Sequence, residues 1–151
     1  MAPISAAAVS GTLAGAYRAA LLLTGSAELA EIAVLNGIAS LQTGDDVEET
    51  LVAKTVEFVI KHPDYEYRLQ RALALLPHDE LRRLVHLAPK PRDSFLLRVL
   101  FGIPSASCAV ILNLTIEEFE GSLSAALRRL PVLGRSDLIA RSNTSNTGAQ
   151  K

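Results

Sequence analysis

At 151 residues and 49% hydrophobic side chains, the chain can bury a real core as one compact domain or two small helical ones. Fifteen Lys and Arg against sixteen Asp and Glu leave a formal charge of -1, which excludes a strong overall pull toward nucleic acid or an anionic membrane. The single cysteine, Cys108, excludes an intramolecular disulfide framework, and its apolar neighbours predict a small buried hydrophobe.

The opening "MAPISAAAVSGTLAGAY" has no basic start and no dense Leu/Val/Phe run, so no export signal is read and the cytoplasm is the expected location. A first helix is predicted over Val9 to Leu23, stopping at "TGS". Ser26 can cap a second from Ala27 to Leu41, with Leu29, Ile32, Ala33, Leu35 and Ile38 as its expected apolar side. After "QTGDD", Asp46 with Glu49 three residues later forms a capping-box pattern. The third helix, with Leu51, Val52, Val56, Val59 and Ile60 as its apolar set, should end before His62–Pro63. These three helices are expected to form a first module, residues 1–62.

A second module, residues 63–136, begins with the helix "DYEYRLQRALALLP" and a short helix "HDELRRLVHL". "PKPRDSF" reads as a stiff linker, followed by a helix ending near Gly102. "SASCAVIL" is a short helix with Ser105 as its expected cap. Thr115 then caps a long helix through "TIEE", a second capping-box pattern, and Pro131 ends it. The polar, small-residue tail 137–151 reads as disordered. No period-two alternation or hairpin turn appears, so the fold class is all-α. The uncharged stretch from Val99 to Ile116 reaches membrane-span length, but Gly102, Pro104 and Asn113 interrupt it, and it reads as two buried helices around a bend.

Charge is uneven. Residues 1–62 carry three basic and seven acidic groups, whereas 63–101 carry seven basic and five acidic. The histidines His62, His78 and His86 fall at helix ends or in a short helix without metal-ligand spacing. No glycine-rich phosphate loop or nucleophile elbow is present, so neither an enzyme nor a cofactor is expected.

"LAPKPRDSFLLRVLFGIPSASCAVILNLTIEEFEGSLSAALRRLP" resembles the C-terminal helix-turn-helix of sigma-70-like factors, in particular the extracytoplasmic-function group. The shared rhythm lies in Pro89, Arg92, Phe95–Leu97, Gly102, Ala109, Leu112, Thr115, Phe119, Leu123, Ala126, Leu127 and Leu130. "YRAALLLTGSAELAEIAVLNGIASL" is similar to the start of that family's other domain, which docks on the polymerase clamp. The resemblance implies a sigma region 2-like module followed by a sigma region 4-like one. It implies DNA contacts by Arg92, Arg98, Thr115, Ser122, Arg128 and Arg129, and partner contacts by Glu28, Glu31, Glu117, Glu118 and Glu120.

The departures from the family pattern concern charge. A groove-reading helix gains affinity by neutralising phosphates, yet this one opens with Glu117, Glu118 and Glu120 and keeps Arg128 and Arg129 at its far end. Acids in a first turn and arginines in a last turn equally serve the helix dipole. Single-strand capture needs aromatic platforms and positive charge, but Phe58 is the one aromatic between residues 28 and 64. The expected function is a sigma-factor-like transcription regulator acting through RNA polymerase core or an anti-sigma factor, with weakened or altered promoter binding. The alternative is a non-DNA-binding helical interaction module or sigma mimic that sequesters a partner.

Overall fold

The computed structural model describes residues 6–77 and 79–130, and these contain helices and turns but no strand. The predicted tail at 137–151 and His78 lie outside the described residues. The first three helices are α1 (Ala6–Thr24), α2 (Ala27–Ala39) and α3 (Val47–Ile60), followed by α4 (Tyr65–Ala74). A short α5 (Asp79–Arg82) runs into a 3₁₀ turn at Arg83–His86. Next come α6 (Pro89–Phe95), a π-helical continuation at Leu96–Leu100, α7 (Ser105–Leu112) and α8 (Ile116–Arg129).

Local chemistry sets the boundaries. The Ser26 hydroxyl accepts from the Leu29 N–H at 3.2 Å, and an Asp46 carboxylate oxygen accepts from the Glu48 N–H at 3.0 Å. Both satisfy first-turn donors that have no partner inside the helix. At α8 the exchange is reciprocal: Thr115 Oγ1 accepts from the Glu118 N–H, and Glu118 Oε1 accepts from the Thr115 N–H at 2.9 Å. Ser105, expected as a cap, is instead the first residue of α7; Pro104 flanks it in extended geometry.

The stretch expected as a stiff linker is the body of α6. Pro89 and Pro91 fall in its first turn, where a missing N–H breaks no hydrogen bond and a fixed φ suits the helix. Prolines here start a helix instead of preventing one.

Helices α1, α2 and α3 pack on one another, α4 packs on α1, and α8 packs on α6 and α7. Apolar side chains from both sides of residue 62 join one core: Leu23, Ala33 and Val56 belong to the same cluster as Leu69, Phe95 and Phe119. The third helix buries Leu51, Val56 and Val59 as its spacing predicts.

The second helix does the opposite of what its large residues suggest. Its buried positions are Ala30, Ala33, Val34 and Gly37, while Ile32, Leu35 and Ile38 are 46%, 62% and 41% exposed. The reason is close approach. A Cβ at Gly37 would meet Thr55 Oγ1 at 2.5 Å and the Thr55 backbone nitrogen at 3.2 Å. Small residues let α2 lie tight against its neighbours, and that register turns the bulky side chains outward.

Candidate functional site

The outer side of α2 combines Glu28 and Glu31, both exposed, with the outward Ile32, Leu35 and Ile38. Spacings of three and four residues put them on one helical stripe. Together they make an exposed apolar stripe edged by acids.

Helix α8 orders its residues conventionally. Phe119 and Ala126 are buried against the core, and Leu123 and Leu127 pack partly into it. Glu117, Glu120, Gly121, Ser124 and Arg128 are exposed, so its outer face starts acidic, passes through small residues and ends basic. Glu118 is exposed as well, but its carboxylate is engaged in the cap with Thr115. Ser122 is half-buried.

The four arginines expected to reach phosphate part company. Arg98, Arg128 and Arg129 are exposed, and none is in an ion pair among the described residues. Arg92 is fully buried and does not reach solvent. Its guanidinium grips Glu66 with both terminal nitrogens, Nη1 to Oε2 at 2.6 Å and Nη2 to Oε1 at 2.8 Å. Arg92 Nε also donates to Asp93 Oδ1 at 3.0 Å, and the Tyr65 hydroxyl donates to the same oxygen at 2.7 Å. Arg92 therefore ties α6 to α4 and leaves the list of DNA contacts, because a guanidinium withdrawn from water needs its carboxylates beside it.

Electrostatics follow the packing. The Arg92 hydrogen bonds hold Glu66 below the usual carboxylate range, whereas burial pushes Asp93 up despite the same arginine. Burial also drives the Tyr65 hydroxyl far upward, with Asp93 adding to it. The network is a structural clamp between α4 and α6. Cys108 is buried, donates to the Ile103 carbonyl at 3.3 Å, and is pushed up to about 11 by burial, so its thiol stays protonated at neutral pH. His62 Nδ1 accepts from the Asp64 N–H at 3.1 Å, a turn contact after α3. Among the described residues no group of three His, Cys, Asp or Glu comes together to hold a metal, and no helix is long and apolar enough to cross a membrane.

Sequence reasoning missed Glu66, the partner of Arg92, and Tyr65, the partner of Asp93, which lie 26 and 28 residues upstream of the residues they bind. It also missed Arg68 and Arg71, which with Tyr67 line a groove beside Thr24 and Gly25. The adjacency of Tyr67 and Arg68 to Arg71 one turn later was the available signal for that groove. No family model, curated protein or solved structure matches the chain.

Proposed function

We propose that the protein is a sigma-factor-like transcription regulator of the extracytoplasmic-function type that acts chiefly by protein contact. The outer face of α2 engages RNA polymerase core or an anti-sigma factor, and promoter contact is weak. The observation that carries this reading is the exposed stripe Ile32–Leu35–Ile38 beside Glu28 and Glu31. A helix whose large apolar residues face water has a second surface to cover.

The C-terminal helices support the same family reading. Residues 113–115 join α7 to α8, Asn113 supplies the left-handed turn at φ 60, and Phe119 and Ala126 pack inward. That is how the two helices of a helix-turn-helix brace each other. The outward Glu117 and Glu120 favour the second reading, a sigma mimic that occupies a partner without touching DNA, because carboxylates at the helix start repel phosphates.

Titrating the labelled protein with purified bacterial core polymerase, read by fluorescence anisotropy, tests the proposal. Saturable binding weakened about tenfold or more by Leu35→Asp is expected, since a charge would replace a central apolar anchor. Absence of core binding sinks the regulator reading. Salt-sensitive binding to promoter duplex that disappears in Arg128→Ala/Arg129→Ala sinks the mimic reading.

A further inference from the structure

The groove between the α1–α2 corner and α4 is a separate feature, independent of the transcriptional reading. It has a volume of about 230 Å³ and is lined by Thr24, Gly25, Tyr67, Arg68, Arg71 and Leu75 among others, with no carboxylate in its walls. Gly25 adopts φ +66, and the Ala72 methyl lies 3.6 Å from where its Cβ would be. The left-handed glycine turns the chain at this corner, which forms one wall.

Charge in this groove is uncompensated. Neither Arg68 nor Arg71 is in an ion pair among the described residues, in contrast to Arg92, which is neutralised by Glu66 and Asp93. Arg68 Nε is buried without a hydrogen-bond partner, a donor that ordinarily finds an acceptor in a folded protein. Arg71 is already positioned: Nη1 donates to the Tyr67 hydroxyl at 3.1 Å, and the guanidinium lies over the Tyr67 ring at 5.7 Å. This contact restricts the arginine before a ligand arrives, and its remaining N–H groups stay available. Exposed Tyr67 and Leu75 add apolar walls.

We infer that this groove binds a small phosphate monoester, its phosphate between Arg68 and Arg71 and its organic body against Tyr67 and Leu75. Guanidinium forks match phosphate oxygens, and arginine is the residue of choice for such recognition. Two unpaired positive charges match a dianion better than a carboxylate, which would leave one uncompensated. A phosphate monoester carries nearly two negative charges at neutral pH.

The test is calorimetric titration of the full chain with phenyl phosphate, with benzoate as the singly charged analogue. Saturable one-to-one binding is expected, with benzoate about tenfold weaker or worse. Arg68→Gln and Arg71→Gln should each weaken phenyl phosphate about tenfold, while Arg83→Gln, exposed and outside the groove, should leave it unchanged. Circular dichroism checks folding of each variant; if Arg68→Gln unfolds, Arg71→Gln at its exposed position carries the test. No saturable heat, equal affinity for benzoate, or binding indifferent to Arg71→Gln overturns the inference. So does a short single-stranded oligonucleotide that displaces phenyl phosphate at equal phosphate concentration, because the groove would then be reading phosphodiesters.

Discussion

Helices α2 and α8 begin alike, each with a capped N-terminus and acids in its first turn, yet they bury opposite kinds of residue. The α8 core side is made by Phe119 with support from Leu123 and Leu127, and its polar residues face outward. The α2 core side is Ala30, Ala33, Val34 and Gly37, and three large aliphatics face outward. Hydrophobic burial alone accounts for α8. It does not account for α2, where covering the part of Ile32 or Leu35 still in water would be favourable by about 1–2 kcal/mol per side chain. Close packing of the three N-terminal helices decides the register there, and the outward aliphatics are left in water.

Three substitutions break or sharpen this contrast. The largest effect is expected at Phe119→Ala, which empties a fully buried site between α8 and its neighbours and should cost about 3–5 kcal/mol in urea unfolding. A loss under about 1 kcal/mol would show that α8 is not a conventional amphipathic helix. Gly37→Ala comes next. Alanine normally favours a helix over glycine, but here its methyl meets the buried and stiff Thr55, so a net loss of about 1–3 kcal/mol is expected. Partial recovery in Gly37→Ala/Thr55→Ala would tie the loss to that contact; a stabilised single variant would remove the close-packing explanation of α2's register. The smallest effect is expected at Leu35→Gln, within about 0.5 kcal/mol, because the side chain is mostly in water. A stability loss above about 2 kcal/mol would mean that Leu35 is part of the core and not of a docking face.

Much of the secondary structure was legible in short windows of the sequence. Ser26, Asp46 and Thr115 act on backbone groups two or three residues away, so the chain itself announces those helix starts. "PKPRDSF" was misread because proline both interrupts helices and opens them, and the difference lies in its place relative to the first turn. Arg92 was misread for a different reason. An arginine near the start of a motif that touches phosphate in a resembling family looks available, but Glu66 reaches it, and Tyr65 reaches its neighbour Asp93, only once α4 and α6 are side by side. Among the expected contacts, Glu28 and Glu31 lie on an exposed face, and so do Arg98, Arg128 and Arg129.

By itself, the amino-acid sequence determined the helical class and most helix boundaries, because propensity, caps and breakers act over a few residues. The folded chain decided which α2 face is buried, which arginines are neutralised and which remain free. Those outcomes depend on how closely helices approach and on which charges meet across 26 or more residues, and neither is encoded in any local spacing.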